Sequence, residues 1–222
     1  MAAVAVHFDT LEAGVAEVAR LALLLDRAER ERASRFRFDR DRRRFVVRRA
    51  KLRLLLAERA GRAPEALAYA ANSHGKPALP AAGFCFSLSH SGERMMLAIA
   101  EGEVGCDIEA VDETIDWREI ADGLFADAER DALAALPEAE GRRAFFECWA
   151  RKEAFVKALG LGLSYPLDAF HVSVTPEARL LRGGEGWLIA ATDALPGHAA
   201  AVVARDDGMP LEIGPVRRGW LD

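Results

Sequence analysis

Trp149–Lys157 reads WARKEAFVK, and its charges sit where a purely buried helix would not put them. At about 100° per residue, Phe145, Cys148, Trp149, Phe155, Val156 and Leu159 share one apolar stripe, and Lys152 falls inside it. Glu153 and Lys157, one turn apart, lie together at the stripe's edge, where a carboxylate and an ammonium can face a cleft. Upstream, Val104–Glu109 (VGCDIE) reads as a strand with Val104, Cys106 and Ile108 on one face and Gly105, Asp107 and Glu109 on the other. If strand and helix pack together, three carboxylates and a lysine converge, a donor set suited to a divalent metal and a phosphate.

Two further segments can meet an anion. Asn72–Pro77 (NSHGKP) joins a conformationally free glycine to a lysine and a stiffening proline; it is a plain surface turn or a place where the lysine meets a phosphate or a purine. Phe84–Gly92 (FCFSLSHSG) runs from an apolar strand into Ser89, His90, Ser91 and Gly92, so hydroxyls, backbone N–H groups and an imidazole gather at a strand end. A serine nucleophile is a poor reading, because adjacent serine and histidine rarely face each other and no GxSxG elbow is present. Solvated carboxylates at the end of the 104–109 strand remain an alternative to a metal pair.

The elements that must position these groups follow from periodicity and breaks. Strands are expected at 2–8, 84–89, 95–100, 104–109, 170–175, 187–193 and 198–204, and helices at 12–25, 41–59, 116–122, 127–136 and 142–159. Gly160 is a plausible helix stop and Pro166 prevents early resumption. Strand, helices and strands recur at an offset of roughly 100 residues, which predicts an α+β fold of two similar lobes, 1–103 and 104–222, related by a pseudo-twofold with the site in the cleft between them.

The 222 residues carry a net charge of −5, yet 27–53 holds 13 Lys/Arg against 4 Asp/Glu, leaving −14 for the remainder. That segment is a solvated helix face or an anion-binding wall. An acidic whole and no aromatic ladder among the arginines speak against nucleic acid. Cys85, Cys106 and Cys148 read as buried free thiols, and neither CxxC nor HExxH spacing suggests zinc. No leader and no long uncharged apolar run is seen, so a cytoplasmic, membrane-free protein is expected.

GKP at 75–77, FSLSHS at 86–91, GCDIE at 105–109 and WARKEAFVKALGLGL at 149–163, in that order and spacing, together resemble the surfactin-type 4′-phosphopantetheinyl transferases. The likeness spans nearly the whole chain, including RFVVRRAKLR at 44–53. It implies a Mg²⁺-dependent enzyme that moves the phosphopantetheine arm of coenzyme A onto a serine of an acyl or peptidyl carrier protein and releases adenosine 3′,5′-bisphosphate. Asp107, Glu109 and Glu153 match the family's metal-site carboxylates, Lys157 its catalytic lysine and His90 its substrate-binding histidine. Glu153 is the natural general base, with the ligand role competing for the same carboxylate. Gly75, Lys76, Pro77 and Ser89 match positions that line the coenzyme, with Asp107 and Lys157 at its pyrophosphate. Where the family often sets early lysines against the 3′-phosphate, this chain offers Arg32 and Arg44. A two-lobe site needs no partner subunit, so a monomer is expected. Two rivals remain at this point, a metal-dependent pyrophosphohydrolase using the same groups and a non-catalytic nucleic-acid binder built on 27–53.

Overall fold

The computed structural model describes residues 2–192, 195–208, 210–214 and 217–218. The first half runs β1 (Ala2–Thr10), α1 (Val15–Ala22), α2 (Arg27–Ser34), α3 (Asp39–Ala60), β2 (Ala70–Ala71), β3 (Pro77–Ala78), β4 (Cys85–Ser91) and β5 (Arg94–Ala100). The second half runs β6 (Val104–Ala110), α4 (Trp117–Leu124), α5 (Asp127–Ala134), α6 (Glu138–Leu159), β7 (His171–Val172), β8 (Leu180–Arg182), β9 (Trp187–Ala191) and β10 (His198–Arg205). Two short strands, β11 (Leu211–Ile213) and β12 (Arg217–Arg218), follow.

The expected repeat is present element by element. Each half opens with a strand, continues with two helices of 8 residues and one of 22, and returns as a hairpin or strand pair. The sheets have the same antiparallel order, β1-β5-β4 in one and β6-β10-β9 in the other, and β11 and β12 pair parallel to β1.

Alternation decides the layers. Val4, Val6, Phe8, Met96 and Ala98 meet Val104, Cys106, Ile108 and Val202 in a core between the two sheets. The opposite faces carry the long helices: Leu97 and Ile99 pack with Leu52, Leu55 and Leu56 of α3, and Ala199, Ala201 and Val203 with Phe155 and Ala154 of α6. Cys106 and Cys148 are buried free thiols, while Cys85 is half-exposed.

The duplication extends to buried charge. In α2, Glu29 accepts the backbone N–H of the helix-capping Asp26 at 3.0 Å and pairs with Arg53 Nε at 2.7 Å; Arg53 also donates to the carbonyls of Pro64 and Leu67. In α5, Glu129 accepts the N–H of Ala126 at 3.0 Å and pairs with Lys152 Nζ at 2.7 Å; Lys152 donates to the carbonyls of Leu167 and Phe170. Each pair ties a short helix to a long one, with every charge hydrogen-bonded as burial requires. Lys152 in the apolar stripe is thereby explained.

Candidate active site

The site begins with how closely α6 approaches β6. Gly105 and Asp107 face α6, and a Cβ on Gly105 would collide with the carbonyl oxygen of Ala154 and the amide nitrogen of Ala158. The glycine brings the helix onto the strand, so side chains from both elements meet within one hydrogen bond. Lys157 Nζ lies 2.5 Å from Asp107 Oδ1, and Ser89 Oγ of β4 donates to the same oxygen at 2.7 Å. Lys157 Nζ also lies 2.9 Å from Ser89 Oγ.

The alternate serines of β4 join the lobes. Ser87 Oγ accepts the N–H of Cys106, and Ser91 Oγ accepts the N–H of Ala110 while donating to Glu109 at 2.8 Å. The FSLSHS segment therefore holds the Asp107 and Glu109 carboxylates in place from the neighbouring strand.

Electrostatics mark the cluster. Burial disfavours the Lys157 ammonium, but the Asp107 carboxylate outweighs it and holds the lysine above its usual pKa. Burial, reinforced by the Asp107 charge, pushes Glu109 up to about 7. Burial also raises Glu153, against the pull of Lys157. Asp107 is 1% exposed, and among the described residues its second oxygen, Oδ2, is buried with no hydrogen-bond partner.

That orphaned oxygen bears on a metal. Among the described residues no three His, Cys, Asp or Glu side chains are gathered tightly enough to cage an ion alone. Mg²⁺ does not require such a cage, since it commonly takes one or two carboxylates and completes its shell with water and substrate phosphate. A buried carboxylate oxygen lacking a donor, beside two carboxylates whose ionisation is disfavoured, fits a cation shared with a bound phosphate.

A cleft of about 770 Å³ contains this cluster. Of the sequence-predicted residues, Arg32, Gly75, Pro77, Ser89, His90, Asp107, Glu109, Glu153 and Lys157 line it. Two do not. Arg44 is paired with Glu12 at 2.8 Å and Glu93 at 2.9 Å and lines a separate depression with Leu11, Asp39 and Arg43. Lys76 donates to the carbonyls of Val104 and Ala158, each at 3.0 Å, rather than facing the cleft.

Sequence reading missed Phe45, Arg48 and Tyr69 on the cleft wall. Arg49 and Arg53 are neutralised by Glu29, whereas among the described residues Arg32 and Arg48 have no carboxylate partner and each lies over the Phe45 ring, 5.4 and 5.7 Å from its centroid. Burial, with Arg49 and Arg32 nearby, lowers Arg48 to about 10, as expected of uncompensated positive charge awaiting an anion. The available signal was helical spacing: Arg48 follows Phe45 by three residues.

Family comparisons agree with this arrangement. A model described as 4′-phosphopantetheinyl transferase, N-terminal, matches residues 12–102, and one for the 4′-phosphopantetheinyl transferase superfamily matches 103–203. The 4′-phosphopantetheinyl transferase HetI of Nostoc sp. is 34% identical over 173 residues, 75% of this chain and 73% of the relative. The 4′-phosphopantetheinyl transferase psf-1 of Bacillus pumilus is 34% identical over 178 residues, 80% and 71% of the two chains. A 4′-phosphopantetheinyl transferase of Bacillus subtilis is 32% identical over 154 residues, 68% and 67%. With its duplicated lobes and a lysine–carboxylate cluster in the cleft between them, the chain belongs to the two-lobed, surfactin-type 4′-phosphopantetheinyl transferases.

Proposed function

We propose that this transferase moves the 4′-phosphopantetheine arm of coenzyme A to a serine of an acyl or peptidyl carrier protein, with Mg²⁺ as cofactor. The observation that carries the reading is the buried Asp107 carboxylate paired with Lys157, in a cleft whose helical wall bears the guanidiniums of Arg32 and Arg48, neither with a carboxylate partner among the described residues. A ligand with a pyrophosphate and a separate phosphate matches those two charge centres. The coenzyme turns then belong to 1–103 and the reacting groups to 104–222.

In this reading Gly75 and Pro77 line the nucleotide end of the cleft, Arg32 and Arg48 hold the 3′-phosphate, and Ser89 and His90 face the pyrophosphate. Mg²⁺ would be held by Asp107 with Glu109, leaving Glu153 free as base, and would supply charge neutralisation on phosphate oxygens. The carrier serine Oγ attacks the β-phosphorus as the bridging P–O bond breaks, and adenosine 3′,5′-bisphosphate leaves. Glu153 takes the serine proton, suited to it by a raised pKa. Lys157, kept charged by Asp107, neutralises the departing oxygen. The protein's share is positioning and charge stabilisation.

Incubating the enzyme with coenzyme A, Mg²⁺ and several apo carrier proteins, followed by mass spectrometry, tests this. The expected result is a gain of one phosphopantetheine on a carrier serine, lost in chelator. Hydrolysis of the pyrophosphate without a modified carrier would instead support a pyrophosphohydrolase.

A further inference from the structure

The family resemblance sets Lys76 against the coenzyme, and the geometry gives it other work. Its ammonium lies between the carbonyl of Val104, where β6 starts, and that of Ala158, in the last turn of α6. These residues flank the closest helix–strand approach, since Val104 precedes Gly105 and Ala158 is one of the residues a Cβ on Gly105 would strike. Asp107 follows two residues after Gly105, and Lys157 precedes Ala158. The two groups of the 2.5 Å ion pair thus lie three residues and one residue, respectively, from the carbonyls that Lys76 grips.

A second bond reaches the same helix end. Asn72 Nδ2 donates to the carbonyl of Gly160 at 2.8 Å, while its Oδ1 accepts the N–H groups of His74 and Lys76 and so shapes the turn that contains Gly75. Gly160 caps α6 in the left-handed region at φ 70°, its N–H bonded to Val156. Carbonyls in the last turn of a helix lack intrahelical partners, and a cation there also meets the negative end of the dipole. The coenzyme-lining turn of one lobe is therefore bolted to the catalytic end of the other lobe's long helix.

We propose that Lys76 is a positioning residue, clamping the end of α6 to the start of β6 so that Lys157 is held on Asp107, and that its side chain is not a ligand of coenzyme A. Asn72 supports the same clamp through Gly160. The inference rests on the proposed function for its kinetic readout, but its structural readout is independent of it.

The test compares wild type with Lys76→Met, Lys76→Arg and Asn72→Asp, the last of which keeps the turn-forming acceptor and loses the donor to Gly160. For Lys76→Met the expected result is kcat lowered by about tenfold or more with the Kd for coenzyme A, by calorimetry, within about threefold of wild type. Amide exchange across Lys157–Gly160 should quicken, and Lys76→Arg should recover most of kcat. Weakened coenzyme binding with kcat preserved would overturn the proposal and make Lys76 a ligand; a lowered melting temperature with kcat and local exchange unchanged would overturn it in favour of a merely stabilising contact. If Lys76→Met does not fold, Asn72→Asp decides by the same criteria. Wild type inactive on every carrier would count against the proposed function alone, because unchanged or faster exchange at the helix end still decides the clamp.

Discussion

Asp107 carries two opposed demands in one carboxylate: Oδ1 neutralises Lys157, and Oδ2 is left buried without a donor. An unsatisfied buried acceptor costs on the order of 1–3 kcal/mol, a cost that Asp9 Oδ2 also bears beside Lys51; what sets Asp107 apart is that it lines the cleft together with Lys157. Asp107→Ala should therefore lose at least roughly 10²-fold in transfer rate, the scale of losing one positioned charge group, while remaining folded. Turnover and thermal melts on the purified variant check this, and near-normal turnover would remove Asp107 from the reaction. Glu109 makes a pH prediction whose sign is fixed. Its folded-state pKa, about 7, lies above the ordinary 4.5, so the native state holds the proton longer than the unfolded chain does. The stability it contributes is present below about pH 4.5 and lost as pH rises towards 7. In chelated buffer the melting temperature of wild type should fall across that window relative to Glu109→Gln, and Mg²⁺ should restore more stability at pH 7 than at pH 5. Parallel melting curves for the two proteins would contradict it.

At the scale of elements, α6 uses lysines in two ways on one helix. Lys152 is fully buried and paired with Glu129, so Lys152→Ala strands a buried carboxylate and should cost about 3–5 kcal/mol of stability. Lys157 is partly exposed and its partner Asp107 is one whose carboxyl burial already pushes towards the protonated form, so Lys157→Ala can leave a neutral acid behind and should mainly lower kcat. Denaturant melts beside kinetics distinguish them; a destabilised Lys157→Ala with a merely slow Lys152→Ala would reverse the roles. Gly105→Ala should push α6 off β6 and part Lys157 from Asp107, lowering kcat well before unfolding, and a variant with full activity would show that the close approach is dispensable. Much of this helix was legible in sequence, because its apolar stripe and the misplaced lysine are local signals, and the expected 142–159 helix differs from the observed one by only one added turn at its start. α2 was not anticipated. Its segment RAERERAS has almost no apolar residue to give a period, and what holds it is the Asp26/Glu29 capping box and the distant Arg53. The capping signature was readable and unused. That Arg48, and not the expected Arg44, lines the cleft was hidden for another reason. The two are one turn apart in the same charged run, and what separates them is pairing to Glu12 and Glu93, contacts 32 and 49 residues away that no local pattern displays.

Across the whole molecule, the concentration of positive charge in 27–53 is partly offset by carboxylates within and beside the segment. Arg27, Arg40, Arg42, Arg43, Arg44, Arg49 and Arg53 all meet carboxylates, and Lys51 is buried against Asp9. The net +9 already counts the carboxylates inside the segment, and Asp9, Glu12, Asp26 and Glu93 from outside it offset part of what is left. What survives at the cleft is the pair Arg32 and Arg48, both over the Phe45 ring, and it is there that the 3′-phosphate of coenzyme A should be felt. Removing that phosphate from the ligand should weaken binding to wild type by roughly 1.5–3 kcal/mol, the worth of hydrogen bonds to a charged group. The discrimination should largely vanish in Arg48→Ala and persist in Arg44→Ala, whose partners are both carboxylates outside the cleft. Salt separates the two substrates further. Exposed guanidiniums steering an acidic carrier surface are screened at the Debye length, whereas Arg48 is half-buried, so carrier KM should rise with ionic strength more steeply than coenzyme KM. Titrations of coenzyme A and its dephospho form against the three proteins settle the first point and KM at several salt concentrations the second. Equal affinity of wild type for both ligands would leave Arg32 and Arg48 without an anion to bind, and a discrimination lost in Arg44→Ala but kept in Arg48→Ala would move the phosphate site out of the cleft.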